Sequence, residues 1–306
     1  MSVGRLPVYL TKTLQMNELR NISVIGLGLL GGSIALAARQ RLPGTRVIGY
    51  SHRASTRAKA RSLGIGTEIA NDLAMAVRDA NLVIVATPIF TFEDYFEQVS
   101  RLAPEGCIVT DVGSTKVLPH RWAVSQLDKR LHYVGSHPVA GSEQRGVEFA
   151  RDDLFYQACC VLTVTPKTSR SAVKPLRAFW SALGCSIRVM DPAEHDRIFA
   201  NISHLPHVLA AGLVNASDGD DMKFAGNGFL DSTRIASGPS TIWTDVLLAN
   251  SRNIAGGIDR VIAELSKLQA AIKSGKRPKI EQLLEAARKK RASLVNYKIR
   301  RKELLS

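Results

Sequence analysis

The chain has 306 residues, enough for two domains with cores of their own at roughly 100–200 residues each. Its hydrophobic share of 45% and charged share of 22% are those of an ordinary soluble globular protein. The net charge is +14, but twelve Lys or Arg stand against three acids between Lys273 and Ser306, so about +9 belongs to a basic end and about +5 to the rest. The basic end is read as a solvated helix terminus, with neither nucleic acid nor membrane as partner; the remaining excess suits an enzyme whose cofactor and substrate are anions. Cys107, Cys159, Cys160 and Cys185 show no CxxC spacing and no His-rich partner stretch, which excludes a zinc site and places the chain in the reducing cytoplasm.

Residues 1–20 carry no clear period and are expected to be a disordered extension. Asn21–Ile25 is a short apolar strand run into glycines, and Gly28 to Arg41 reads as a helix. The uncharged stretch from Ile22 to Ala38 would attract a hydropathy plot, yet its four glycines fit a strand–turn–helix and not a membrane span. Further strands are predicted at 46–50, 81–86, 107–111, 132–135 and 158–165, with a helix over 57–63. Strands alternating with helices, nearly all apolar, predict a parallel sheet covered on both faces. At Asp191-Pro192-Ala193-Glu194 the texture changes: Asp caps, Pro fits the first helical position and Glu completes a capping-box pattern. Beyond it no strand is predicted. Ile258, Val261, Ile262, Leu265, Leu268 and Ile272 recur at helical spacing, as do Ile280, Leu283, Leu284, Ala287, Leu294 and Val295. The predicted architecture is α/β: a doubly wound sheet domain over 21–190, then an all-helical domain over 191–306.

Gly26-Leu27-Gly28-Leu29-Leu30-Gly31 is a GxGxxG between a predicted strand and a predicted helix, the context that makes it a dinucleotide site. Gly26 makes the turn, Gly28 admits the pyrophosphate, Gly31 lets the helix pack, and Leu29 and Leu30 open the helix whose free N–H groups face the phosphates. An acid some twenty residues on would hold the ribose of NAD, but no Asp or Glu occurs from Gly26 to Thr67. Ser51, His52 and Arg53 follow the second strand, with Arg57 a turn later. Arg53 and Arg57 can pair with a 2′-phosphate and Ser51 can donate to it, so NADP is favoured, with NAD possible. Thr87 and Pro88, ending the third strand, join the cofactor set.

Three further segments carry chemistry: Asp111-Val-Gly-Ser114-Thr-Lys116, His137-Pro-Val-Ala-Gly-Ser142-Glu143, and a helical-half series with His195-Asp196, Ser203-His204-Leu-Pro-His207, Thr233-Arg234-Ile-Ala and Trp243-Thr-Asp245. With the glycine loop, and in this order, they resemble the prephenate/arogenate dehydrogenase family over about residues 21–250. The resemblance implies a Rossmann-type domain followed by a helical dimerisation domain, hence a homodimer, and an oxidative decarboxylation with hydride transfer to NAD(P). It assigns His137 the contact with the ring hydroxyl and places Ser114 beside it. It puts His207, Arg234, Ser142 and Glu143 against the substrate, prephenate or arogenate. A neutral histidine titrates in the range needed to take the hydroxyl proton, and a guanidinium fork fits one carboxylate of a dianion. No metal is required, and the His204/His207 pair is assigned to core or pocket. Lys116 is left between surface and cofactor-side roles, and His195 is expected to pack or cap near the domain boundary. The chain is expected to be monofunctional, without a mutase or an amino-acid-sensing domain. Two alternatives are another two-domain dehydrogenase such as the β-hydroxyacid group, whose helical-domain Lys has no counterpart here, and a nucleotide-sensing module.

Overall fold

The computed structural model describes residues 19–141 and 144–300, with side chains as far as Lys298. Most of the predicted extension and the last six residues lie outside that range, as do Ser142 and Glu143 of the predicted substrate set. The described chain forms two compact units divided between Ser251 and Arg252.

The first unit opens with β1 (Asn21–Ile25), α1 (Leu29–Arg41), β2 (Arg46–Tyr50), α2 (Ala54–Ser62), β3 (Glu68–Ile69), α3 (Leu73–Val77) and β4 (Leu82–Val85). It continues through α4 (Phe92–Leu102), β5 (Ile108–Asp111), α5 (Val117–Gln126) and β6 (His132–Tyr133). These six strands form one sheet in the order β3-β2-β1-β4-β5-β6, every pair parallel. The order reverses between β1 and β4, which opens a crevice at the strands' carboxyl ends. The apolar run of β4 is explained by its two faces. Leu82 and Ile84 enter one core with Ile22, Val24 and Ile34, while Val83 and Val85 enter another with Ile25, Phe92 and Phe96. A strand covered on both sides shows no alternation because both registers are buried.

The strand expected over 132–135 is two strands in two sheets. After β6 the chain leaves the parallel sheet, and β7 (Gly135–Val139) pairs antiparallel with β8 (Cys159–Thr163). Gly135 lies opposite Thr163, where a Cβ would stand 2.4 Å from the threonine hydroxyl. Behind α6 (Arg170–Ala182), β9 (Ser186–Met190) pairs parallel with β8 and completes a three-stranded mixed sheet. The expectation of purely parallel pairing is therefore corrected for these strands, and β3 and β9 are additional to the strands the sequence predicts. β9 lies at an edge and its burial is partial, so it lacks the apolar run that marks the central strands.

The helical part of this unit comprises α7 (Pro192–Phe199), α8 (Leu205–Ala216), α9 (Asn227–Thr233) and α10 (Ser240–Ala249). Asp191 caps α7 as its sequence indicates, accepting from the Ala193 and Glu194 amides, with Pro192 in the first turn. Between α7 and α8 a π-helical turn spans Ala200–His204. The second unit holds most of α11 (Ser251–Lys273) and all of α12 (Arg277–Arg300). Ile262 and Leu265 of the predicted α11 stripe are 56% and 59% exposed in the single chain. Among the described residues no helix is long and apolar enough to cross a membrane.

Candidate active site

The glycine loop follows β1 directly. Gly26 has φ +95°, and a Cβ there would meet the Ala86 carbonyl oxygen at 2.6 Å and Thr87 Cγ2 at 2.8 Å. The loop and the Thr87-Pro88 turn thus face each other across the β1/β4 crevice. A Cβ on Gly31 would lie 1.8 Å from the Gly26 carbonyl oxygen, so only glycine lets α1 start this close to the strand. A Cβ on Gly28 would meet nothing within 4 Å. Gly28 caps α1 without a side-chain hydrogen bond, and no acid stands in the first turn, which begins at Leu29 and Leu30. Open space before free amides and a helix dipole fits the pyrophosphate of a dinucleotide.

At the end of β2, Ser51 is buried while His52 and Arg53 are exposed, Arg53 being the cap of α2. The expectation for Arg57 is corrected: its guanidinium donates to the carbonyls of Ser51 (2.7 Å) and His52 (3.0 Å), so it shapes this turn. Glu68, the first acid after the glycine loop, is gripped by Arg46 at the opposite end of β2.

β5 carries the next loop to the same edge of the sheet. Asp111 at its end accepts from the Gly113 amide (2.7 Å) and the Tyr133 hydroxyl (2.6 Å), and forms an ion pair with Lys116. Both members of the pair are fully buried. Lys116 is therefore neither a surface nor a free cofactor-side charge; it holds together the loop that presents Ser114, which is half-buried. The same loop is fastened from the helical side, where the Asp196 carboxylate accepts the Lys116 amide at 2.7 Å and the Val117 amide at 2.9 Å, capping α5 from 80 residues away.

His137, on β7, is 8% exposed. Its Nδ1 lies 2.8 Å from Nε2 of His195, whose Nδ1 lies 2.8 Å from Oδ1 of Asp196. The expectation that His195 merely packs or caps is thus overturned. Phe199 backs both rings, tilted against His137 at 4.6 Å and stacked on His195 at 4.4 Å. His204, delivered by the π-helical turn, accepts at Nδ1 from the Asn250 amide (3.2 Å), and the Ser114 backbone lies beside it. Burial dominates the electrostatics. It drives the His137 imidazole well below the usual histidine range, with His195, Lys116 and His204 adding to the effect. His195 is pushed down to about 2 and His204 to about 4, first by burial. All three rings are therefore neutral at physiological pH.

His207 lies further along α8 and stacks on Trp243 of α10, the ring centroids 3.6 Å apart and the planes at 9°. A Cβ on Gly238 would lie 2.4 Å from Trp243 Nε1 and 3.2 Å from His207 Cε1, so the Arg234–Gly238 turn closes on this stack. Arg234 opens that turn, exposed, with no ion pair among the described residues. Arg145, just beyond the undescribed Ser142 and Glu143, reaches Thr241 Oγ1 at 3.2 Å, next to the same wall. The chain thus brings together His137, Ser114 and His204 at one edge, and His207, Trp243 and Arg234 at another, all in the first unit.

Residues 34–189 match the nucleotide-binding domain of prephenate dehydrogenase and residues 191–286 match its dimerization domain. The chain belongs to the prephenate dehydrogenase family. It is 37% identical over 268 residues to prephenate dehydrogenase of Bacillus subtilis, a span of 84% of this chain and 71% of that protein. Its fold is similar to prephenate dehydrogenase of Aquifex aeolicus, solved with hydroxyphenyl propionate and NAD+, with TM-score 0.84 and 30% identity over 92% of this chain and all of that one. It is also similar to arogenate dehydrogenase of Synechocystis, with TM-score 0.77 and 31% identity over 90% and 99%. The protein is accordingly a nicotinamide-dependent dehydrogenase, a Rossmann-type sheet domain followed by helices.

Proposed function

We propose that this dehydrogenase converts prephenate to 4-hydroxyphenylpyruvate and CO2 in the cytoplasm, prefers NADP, and works as a homodimer. The observation that carries the reading is the buried His137, whose imidazole burial holds well below the usual histidine range, set among His195, His204 and Lys116, with the Ser114 backbone against His204. When bound, the nicotinamide supplies the hydride acceptor. His137 takes the C4 hydroxyl proton as the hydride leaves that carbon, and returns it to the ring oxygen once the ring carboxylate has departed as CO2. The proton balance is then closed, and aromatisation drives the step. A neutral imidazole is the form able to do this. Ser114 positions the hydroxyl, Arg234 binds one carboxylate, the His207–Trp243 stack walls the ring, and Ser142 and Glu143 complete the substrate set. Gly26, Gly28, Leu29, Leu30, Gly31, Thr87 and Pro88 hold the dinucleotide, and Ser51, His52 and Arg53 receive the 2′-phosphate. Exposed apolar residues such as Ile262 and Leu265 supply the surface a second copy would cover. The four free thiols accord with a reducing compartment.

The likeness to the Synechocystis enzyme favours a second reading, arogenate as substrate, in which an ammonium replaces the side-chain keto group. Steady-state kinetics with both substrates against NAD and NADP test the proposal. The expected result is the highest kcat/KM for prephenate with NADP; turnover of neither substrate overturns the reading, and a preference for arogenate or for NAD replaces that part of it.

A further inference from the structure

The tautomers of the buried histidines follow from the donors around Asp196. Both oxygens of this carboxylate are occupied by the amides of Lys116 and Val117, which can only donate. It also sits at the amino end of α5, where the helix dipole favours an anion. Burial raises the Asp196 carboxyl above its usual value, but the Val117 and Lys116 amides and the Lys116 charge oppose it, so Asp196 is ionised at neutral pH and the His195 nitrogen 2.8 Å from its Oδ1 carries the proton. His195 is wholly buried and stacked on Phe199, and being neutral it has no second ring proton. Its Nε2 is thus a lone pair, and it faces His137 Nδ1 at 2.8 Å. That contact is a hydrogen bond only if His137 donates from Nδ1. A neutral His137 then has no proton left for Nε2, the nitrogen outside this chain of bonds.

We infer that His195 and Asp196 are positioning residues for the dehydrogenase reaction. They hold His137 in the Nδ1–H tautomer, so that Nε2 is the basic nitrogen, and stabilise the imidazolium it becomes. The inference rests on the reading of His137 as the base. A histidine side chain in water favours the opposite tautomer, with the proton on Nε2, and would present a donor where the hydroxyl proton has to go. Here one carboxylate sets the protonation of two rings in series. As His137 takes up its proton, the Nδ1–H bond to His195 becomes charge-assisted and strengthens in the transition state, while substrate binding is unaffected.

The test compares His195→Leu, which removes the acceptor, with His195→Gln, whose side-chain carbonyl can accept the same N–H. The full-length enzyme is assayed with prephenate and the preferred nucleotide, and long-range proton–nitrogen NMR is recorded on isotope-labelled histidines. His195→Leu is expected to lower kcat by at least about 10-fold and by as much as about 10⁴, the loss when a catalytic histidine is left in the wrong tautomer, with both KM values little changed. His195→Gln is expected to recover most of that loss. In the wild type the His137 signal should show its proton on Nδ1, and in His195→Leu that preference should be lost. Full kcat in His195→Leu, or an Nε2–H signal for His137 in the wild type, overturns the inference. If His195→Leu fails to fold, the wild-type spectrum decides. A His137→Asn variant of undiminished kcat would instead remove the base assignment, and the spectrum would still report the tautomer separately.

Discussion

The glycine loop and the histidine cluster perform opposite kinds of work at one edge of the sheet. The loop offers charge a backbone: α1 opens without a side-chain cap, a side chain at Gly28 would meet only open space, and the loop's residues matter mainly for the side chains they lack at Gly26, Gly28 and Gly31. The cluster holds reactive nitrogens with side chains removed from water, His137, His195 and His204 with Lys116, Asp111 and Asp196. A backbone site is stable because it leaves no ionisable group to bury. A side-chain site keeps its imidazoles neutral by desolvation, at a cost in stability that appears as soon as protons become available.

Acid is therefore the perturbation that separates the two most. His204 of the cluster and His120, which lies on α5 against the Thr163 hydroxyl, are each pushed down to about 4, and His195 to about 2, chiefly by burial. In the unfolded chain histidines titrate near 6.5, so below that pH the unfolded state binds protons that the folded state does not. The stability contributed by these groups is complete above about pH 6.5 and is lost as pH falls toward 4, at about 1.4 kcal/mol per pH unit for each histidine. Urea midpoints measured from pH 7.5 downward should fall steeply below 6.5. A flat profile to pH 5 would contradict the burial of neutral imidazoles.

Within the folded range the cluster's chemistry should be insensitive to pH. Because burial holds His137 well below the usual histidine range, kcat should show no acid limb near 6.5. His137→Asn should lower kcat by about 10²–10⁴, as for a lost general base, with KM little changed. Arg234 stands apart from the buried group, exposed and holding a carboxylate already charged before reaction. Arg234→Gln should mainly raise KM, by about 1.5–3 kcal/mol of charge-assisted hydrogen bonding. If Arg234→Gln abolishes kcat alone while His137→Asn raises only KM, the two roles are reversed.

The same contrast decides what could be read from the sequence. The glycine loop is local, six consecutive residues after a strand, and its turn, open approach and close helix all follow from spacing. The Asp191-Pro192 helix start is equally local. His137 and Ser114 were marked by their motifs, and the structure does bring their segments toward one edge. The partnership of His137 with His195 spans 58 positions and depends on β7 leaving the parallel sheet and α7 packing beside it, neither of which has a local signature. The sequence does not decide Lys116, because a lysine reads as solvated until its partner is known; here that partner is the buried Asp111. In the sequence the pair shows only as the adjacency His195-Asp196, one imidazole next to one carboxylate just after a helix start. Edge strand β9 has no signature in the sequence, because partial burial leaves no apolar run.

The smallest expected effect concerns the loop's other neighbour, the turn after β2. Arg57 is committed to the carbonyls of Ser51 and His52, which leaves Arg53 as the exposed cation at the start of α2. α2 has no acid in its first turn and no side-chain cap, so its amino end and Arg53 would both favour a 2′-phosphate. The contribution of Arg53 is limited by water: an exposed ion pair is worth about 0.2–1 kcal/mol, so Arg53→Ala should raise KM for NADP by no more than about fivefold. KM for NAD, which has only a hydroxyl at that position, should be nearly unchanged, and kcat should be the same with either nucleotide. Arg57→Ala makes the informative contrast. It removes the bonds that hold the Ser51-His52 turn, so it should weaken both nucleotides together. Equal losses for NADP and NAD in Arg53→Ala would mean that this arginine, too, only shapes the turn, and the preference for NADP would lose its structural basis.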